Sequence, residues 1–536
     1  MNKRLIWYRV RETEADLPES VLFMLRHLTE LGEVRLDGAV PPPELPGVSS
    51  GAPELPAAGI SELWMLDSRW YGPLFPLDET AAAMSSKPGE FWGLLRDGRG
   101  MAEGFLAVRG AALNHPRLKG LLTCRNPAAA LERAGFRGAV YCEGLDLREN
   151  RALGYRPELT ANAAEFLILN FRLPLLRRDA FAVSAESPVS HGAAIFRALE
   201  KARSPYPAAL IEADLRNRAP LSWRKNLPGR LLVTARSLPV PPEFRPLKAA
   251  VILHVYYPEL LGEFVETLGN LPQPFDLFVT TPRPEAAEPY RALLPQTVRN
   301  FRLIKTENRG RDIGPWLDAM TPEEHLGYDA VFKLHTKRSD GETEAFGAAW
   351  RRFLLDSLLP SPGGTARILQ SFADDPELGV VLPPNPPMVA LQCPSSSLGS
   401  PADAELAREL ARKLELRFPA ETDQPVFPAG SMFCYRPKAL EKLFRSGIGS
   451  ASFPPEPIGR AGTAAHALER LILYIAQSAG YDFCQTMPLE MLCDAFRTYE
   501  EFAMFDRPSP GRLARRLMRE LARRMPFRRR RRTIWP

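Results

Sequence analysis

The stretch "AAVILHVYYPELLGEFVETLGNLPQPFDLFVTT", residues 249–281, decides the fold. Its first part, up to Val255, is a short apolar run that fits a buried strand. Pro258 then opens a segment in which Leu260, Leu261, Phe264, Val265 and Leu268 recur at helical spacing. "FDLFVTT" is a second strand, and it ends in polar residues. Downstream, "VRNFRLIKTEN" (298–308) reads as a third strand, "RDIGPWLDAM" (311–320) as a short helix start and "YDAVFKLHTK" (328–337) as a fourth strand. Strands alternating with helices predict an α/β fold, a parallel sheet with helices on both faces. Ligands of such sheets bind at the carboxyl ends of the strands. The polar groups Thr280–Thr281, Asn308–Asp312 and His335–Lys337 all fall at such ends.

The N-terminal third repeats this order. Residues 4–36, "RLIWYRVRETEADLPESVLFMLRHLTELGEVRL", again run strand, helix, strand. "EGFLAVRGAALNHPRL" (103–118) parallels "GSMFCYRPKALEKLF" (430–444), and "ALERAGFRGAVY" (130–141) parallels the end of "HALERLILYIAQSAGYDF" (466–483). Matching pieces in one order predict two related Rossmann-like units. The first is reduced: no counterpart of "NRGRD" precedes "ISELWMLDSRWYGPL", and residues 40–60 are rich in proline, glycine and alanine. The expected division is a reduced unit over 1–150, a partly helical connector over 151–245, a second unit over 246–500 and a basic tail over 507–536.

Composition bounds the function. The 536 residues exceed one core and suit two to four domains. The net charge of +6 is uneven: residues 507–536 hold twelve arginines and one glutamate, which leaves the rest mildly acidic. Six cysteines without a Cys-x-x-Cys pair suit reduced thiols in a cytoplasmic protein. The first residues lack the apolar core of a signal peptide, and no uncharged run is long enough to span a membrane. No P-loop, Gly-x-Gly-x-x-Gly, His-Glu-x-x-His or Gly-x-Ser-x-Gly pattern is present.

Three clusters can carry chemistry. In "NRGRD", Gly310 permits a tight turn and close approach of the backbone to a ligand. Arg309 and Arg311 offer forked donors for phosphate, and Asp312 can cap the next helix or accept from ribose hydroxyls. A surface turn with an Arg–Asp pair is the alternative. His335 and Lys337 share one side of an extended strand end and suit a diphosphate, or else form a solvated basic edge. On the helix "HALERLILYIAQSAGYDF", His466, Glu469 and Arg470 precede the apolar residues Leu471, Ile472 and Ile475. Glu469 is a candidate general base, with a surface ion pair as the alternative, and Glu456 in "FPPEP" is similarly placed between two readings. The tail places Leu513, Leu517 and Leu521 on one helical face with arginines around the rest, then five arginines in a row. That pattern suits an anionic membrane surface better than nucleic acid, because no other basic face with aromatics accompanies it.

The ordered motifs "ILHVYYPELLGEF", "FDLFVTT", "NRGRDIGPWL", "YDAVFKLHTKRS", "WRRFLLDSLL", "FPPEP" and "HALERLILYIAQSAGYDF" resemble the rhamnan synthesis protein F family of bacterial surface-polysaccharide glycosyltransferases. "LDSRWYGPLFPLDE" and "FWGLL" resemble that family's N-terminal domain. The resemblance implies two GT-A-like domains and transfer from a nucleotide-sugar donor, with rhamnose from a dTDP-activated donor suggested by the family name. It places His254, Tyr256 and Thr280 near the nucleotide base, and Asn308, Arg309, Gly310, Arg311 and Asp312 around nucleotide and diphosphate. "HTK" stands where many GT-A enzymes carry Asp-x-Asp for magnesium or manganese, so His335 and Lys337 replace both carboxylates and put dependence on a divalent metal in question. No other cofactor is implied. Glu469, eleven residues before Gly480, resembles the base of inverting members, with His466 alongside. The first unit keeps Asp67 in "LDS" but has Cys124 where the base is expected, which implies a silent or acceptor-binding role. The combined expectation is a peripheral enzyme at the inner face of the bacterial cytoplasmic membrane acting on a lipid-linked glycan. A non-catalytic assembly scaffold is the alternative.

Overall fold

The computed structural model describes residues 3–11, 16–57, 59–97, 100–101, 104–142, 159–182, 192–225, 227–336, 338, 344–384, 401–417, 426–457 and 463–492. Seven strands of the N-terminal third form one sheet: β1 (Arg4–Arg9), β2 (Glu33–Asp37), β3 (Val48–Ser50), β4 (Glu62–Asp67), β5 (Phe91–Gly93), β6 (Leu106–Arg109) and β7 (Gly138–Val140). Their spatial order is β3-β2-β1-β4-β6-β5-β7. Eight later strands form a second sheet: β8 (Leu231–Thr234), β9 (Ala249–His254), β10 (Phe275–Thr281), β11 (Val298–Lys305), β12 (Ala330–His335), β13 (Leu378–Leu382), β14 (Phe433–Tyr435) and β15 (Asp482–Pro488). Their order is β11-β10-β9-β12-β14-β13-β15-β8. Apart from the added edge strand β8, the two orders are the same.

Both sheets are parallel-rich rather than wholly parallel. β6 runs antiparallel to β4 and β5, and β14 runs antiparallel to β12 and β13. A three-residue strand such as "FCY" shows alternation but not direction, so its reversal is set by where the chain enters the sheet.

The two units also match atom by atom at the ends of their first strands. Val10 N–H donates to Asp37 O at 2.8 Å, and Val255 N–H donates to Thr280 O at 2.8 Å. Ser68 N–H reaches Arg9 O at 2.9 Å, as Thr336 N–H reaches His254 O at 2.9 Å. Arg11 N–H donates to the Ser68 hydroxyl at 3.1 Å, and Tyr256 N–H donates to the Thr336 hydroxyl at 3.0 Å. With the strand registers, these bonds make Arg9 equivalent to His254, Asp67 to His335 and Met65 to Lys333.

Strand periodicity builds two core layers in the second unit. Ala250 and Ile252 face a layer with Trp316, Phe433, Leu468, Leu471 and Ile472. Ala249, Val251 and Leu253 face Phe264, Leu268, Phe332 and Leu358 on the other side. Each such side chain taken from water is worth roughly 1.5–3 kcal/mol. The helix Leu261–Leu268 buries Leu261, Phe264, Val265 and Leu268, four of the five residues whose spacing predicted it, while Leu260 stands half-buried just before it. The helix Ala464–Ser478 begins at Thr463, whose hydroxyl accepts from His466 N–H and caps the first turn.

The helix Ala208–Arg218 joins residues beside the first sheet to the second sheet. Asp214 accepts from the Tyr71 hydroxyl at 2.6 Å and pairs with Arg178 at 3.1 Å. Two residues on, Arg216 bonds Glu377 and lies 3.7 Å from Asp482 of the second sheet. Among the described residues no helix is long and apolar enough to cross a membrane.

Candidate functional site at the carboxyl ends of the second sheet

β9, β10 and β12 run side by side, with His254 opposite both Thr280 and His335. All three side chains therefore share one edge. His254 is buried, and its Nδ1 lies 3.1 Å from the Thr280 hydroxyl. Burial pushes its pKa down to about 3, because desolvation penalises the imidazolium more than the Asp312 charge favours it. His254 is thus a neutral spacer in the floor of the site. Tyr256, just past the strand end, accepts from Arg283 through its carbonyl, and the Arg283 guanidinium lies 5.8 Å from its ring.

The turn after β11 bends through two left-handed residues, Gly310 at φ +70° and Arg311 at φ +55°. A Cβ on Gly310 would stand 2.5 Å from the Phe453 ring. On the face where a Cβ would stand, the close approach that requires glycine is made by Phe453. Arg309 also points to this loop: its guanidinium donates to Phe453 O at 2.9 and 2.6 Å and to Ala451 O at 3.2 Å. The loop continues through Pro455, bridged to Arg309, to the half-buried Glu456. Asn308 is half-buried at the head of the same turn.

The turn delivers Asp312 over the end of β12. Its side chain makes no helix cap, contrary to one of the two sequence readings, because Lys333 holds it. Lys333 Nζ lies 2.5 Å from Asp312 Oδ2, 2.7 Å from Ser431 O and 2.8 Å from Ser431 Oγ. All three ammonium donors are thereby used. The side chain is 1% exposed, with apolar neighbours from Ala330 to Leu334 along the strand, where an unpaired charge would cost several kcal/mol. Burial would raise the Asp312 pKa, yet the adjoining His335 and Lys333 charges hold it well below the usual carboxylate range.

His335 and Glu469 meet across one residue, Gly430. His335 Nε2 donates to Gly430 O at 2.8 Å, and its Nδ1 lies 3.9 Å from Asp312 Oδ1. Gly430 N–H donates to Glu469 Oε1 at 3.1 Å. The Glu469 side chain is 14% exposed and its second oxygen lies 3.9 Å from Arg470. One turn earlier on the helix, His466 Nε2 lies 3.2 Å from Arg311 Nη1, and its Nδ1 lies 3.0 Å from the Thr463 hydroxyl. These partners assign the neutral tautomer with Nδ1 protonated.

The structure thus gathers His254, Thr280, Arg311, Asp312, His335, His466 and Glu469 at one edge, and turns Arg309 and Gly310 toward the loop at Phe453. Lys337 lies outside the described residues, as does the basic tail over 507–536. Asp67 belongs to the other sheet: it is fully buried between Arg69 at 2.7 Å and Arg11 at 3.3 Å. The helical turn Ile313–Leu317 that follows "NRGRD" has no counterpart among the described residues between β3 and β4. Met65, equivalent to Lys333, is buried and uncharged. Gly430 and Ser431 are the residues that sequence reading missed. Their only sequence signal is their place just before "MFCY".

The donor set does not fit a divalent ion. The Asp312 carboxylate is already paired with the fixed Lys333 ammonium, His335 Nε2 is engaged by Gly430 O, and Arg311 adds a positive charge. Among the described residues no group of three or more His, Cys, Asp or Glu side chains is arranged to hold a metal ion.

Comparison with known proteins adds three relationships. The chain is 28% identical over 235 residues to the uncharacterized protein WxcX of Xanthomonas campestris pv. campestris strain B100, a match covering 44% of this chain and 32% of that protein. The same figures hold for WxcX of a second strain of that organism, so the match spans about a third of the length of these curated relatives. The glycosyltransferase GlyE of Streptococcus pneumoniae TIGR4 aligns over 69% of this chain and 99% of its own, at 10% identity and a TM-score of 0.21, too distant to inform fold or function. The profile described as rhamnan synthesis protein F matches residues 127–481, about two thirds of the chain and all of the site just described, and the chain belongs to that family.

Proposed function

We propose that this protein transfers a sugar from a nucleotide-sugar donor to a glycan acceptor during assembly of a cell-surface polysaccharide. The observation that carries the reading is the convergence of a partly buried carboxylate, Glu469, with Arg311, Asp312 and His335 at the carboxyl edge of a parallel-rich sheet. Membership of a family described as acting in rhamnan synthesis supports it.

Each residue has a chemical task in this reading. Glu469 takes the proton from an acceptor hydroxyl as that oxygen attacks the anomeric carbon. The nucleoside diphosphate departs from the opposite side, which inverts the anomeric centre. Arg311 and His335 supply positive charge and N–H donors toward the departing diphosphate, in the manner of a preorganised electrostatic site. Asp312 accepts from a ribose or sugar hydroxyl through Oδ1. Lys333 acts through Asp312, since its donors are all engaged. Arg309 positions the turn, and Tyr256 with Arg283 forms a wall against which a base can stack. No step is assigned to a metal.

The family description points to rhamnose, and to dTDP-rhamnose as the donor. The arginine-rich tail favours a lipid-linked acceptor at the inner face of the cytoplasmic membrane. The first unit, which lacks equivalents of Lys333, His335 and the "NRGRD" turn, serves as a non-catalytic platform. The decisive experiment incubates purified protein with a panel of nucleotide sugars and lipid-linked acceptors and follows release of nucleoside diphosphate. Release with one donor, lost in Glu469→Gln, supports the reading; no release with any donor overturns it.

A further inference from the structure

Ser431 is one of five non-glycine residues among those described with a left-handed backbone, at φ +58°. Such a conformation is strained for a residue with a Cβ and easy for glycine. The internal duplication supplies a control. β12 pairs Lys333 with Phe433, and β4 pairs Met65 with Leu106. Counting back two residues along the antiparallel strand from each pair, Ser431 is equivalent to Gly104, which sits at φ +104°. One fold therefore meets the same backbone demand twice. The first unit uses the relaxed residue, and the second uses a strained serine.

What the second unit gains is the hydroxyl. Ser431 Oγ accepts from Lys333 Nζ at 2.8 Å, and the same ammonium lies 2.5 Å from the Asp312 carboxylate. Its carbonyl takes a second Lys333 donor at 2.7 Å. The preceding residue, Gly430 at φ +90°, holds Glu469 with its N–H and His335 with its carbonyl. A Cβ on Gly430 would meet Leu354 Cδ1 at 2.8 Å and Trp350 Nε1 at 3.0 Å, so this peptide is wedged in place from behind. Two consecutive residues thus touch Lys333, His335 and Glu469, and reach Asp312 through Lys333. In the first unit the positions of Lys333 and His335 are Met65 and Asp67, and the serine is gone with them.

We infer that Ser431 is a positioning residue of the second unit: its hydroxyl, strained into place on the Gly430–Ser431 turn, fixes the Lys333 ammonium and through it holds the Asp312 carboxylate beside His335, facing the reacting groups. This rests on the glycosyltransfer reading only for its kinetic consequence; the geometric claim stands apart from it.

The test uses the full chain with Ser431→Gly, which removes the hydroxyl, keeps the carbonyl and relaxes the backbone. A merely structural serine would leave this variant as active as the parent, or more stable and equally active. The expected result is an unchanged or higher Tm, with kcat reduced about tenfold or more and the donor KM within about twofold. Ser431→Asn, which tolerates the left-handed region and restores a polar side chain, is expected to recover part of the loss. Undiminished kcat in Ser431→Gly overturns the proposal. If the parent chain shows no transfer, the functional reading fails and a crystal structure of Ser431→Gly decides the positioning claim by itself. The Asp312 carboxylate is then expected to rotate away from His335; an unmoved carboxylate overturns the role of Ser431.

Discussion

Asp67 and His335 occupy the same position in two copies of one fold. Each closes the fourth strand and precedes the hydroxyl residue that accepts from the backbone two residues past the first strand, Ser68 for Arg11 and Thr336 for Tyr256. Around them the copies diverge. Asp67 is enclosed by two arginines, whereas His335 faces Asp312 and the Gly430 peptide.

This divergence sets the binding stoichiometry. Isothermal titration of a nucleotide sugar is expected to give one site per chain, and Arg311→Ala is expected to weaken it about tenfold or more by removing a charged donor. Two equivalent sites, or an Arg311→Ala titration indistinguishable from the parent, would contradict a single site in the second unit.

Glu469→Gln keeps the shape of the side chain and its bond from Gly430 N–H while removing the basic oxygen. Donor affinity is expected to stay within about twofold and turnover to fall by roughly 10²–10⁴. Near-parental turnover would exclude Glu469 as the base.

Lys333→Met copies the residue found at the equivalent position of the first unit, so the side chain fits. It strands Asp312, and a broken buried pair of this kind costs about 3–5 kcal/mol. The double variant Lys333→Met with Asp312→Asn is expected to recover most of that loss in denaturation experiments while remaining inactive. Additive losses would mean that the two side chains are not coupled.

Stability should depend on pH through two buried histidines. His254 and His325 are both pushed from the ordinary 6.5 to about 3, chiefly by desolvation. The folded state thus refuses protons that the unfolded chain accepts below pH 6.5. Stability is full above that value and falls as pH drops toward 3, by up to about 1.4 kcal/mol per pH unit for each histidine. Asp312 adds a further loss below about pH 4, where its carboxylate would be protonated in the unfolded chain. His325 stacks on Phe444, 3.9 Å between ring centroids, away from the site. His325→Phe is therefore expected to flatten the fall of Tm between pH 6.5 and 4.5 by about half, even if it lowers Tm at neutral pH. An unchanged slope would clear His325.

Deleting residues 507–536 is expected to abolish flotation with anionic liposomes, since each arginine near such a surface contributes about 1 kcal/mol. Retained flotation, or a loss of DNA binding alone, would remove the membrane role from the tail.

Much of the fold was legible because period and polarity are local properties. The strands at Ala249–His254, Phe275–Thr281 and Ala330–His335, and the helix Leu261–Leu268, follow from spacing, and the duplication follows from the order of such pieces. The sequence also determined which residues stand at strand ends, and so placed His254, Thr280, Asp312 and His335 on one edge. Direction and partnership depended on tertiary structure. "FCY" is too short to declare itself antiparallel, and nothing near Arg309 announces that Phe453 will claim its guanidinium. Lys333 reads as an interruption of an apolar strand until Asp312, twenty-one residues earlier, and Ser431, ninety-eight later, are folded onto its ammonium. A buried charge must be neutralised, but the sequence does not say by what, because the partners are brought together by sheet order rather than by spacing along the chain.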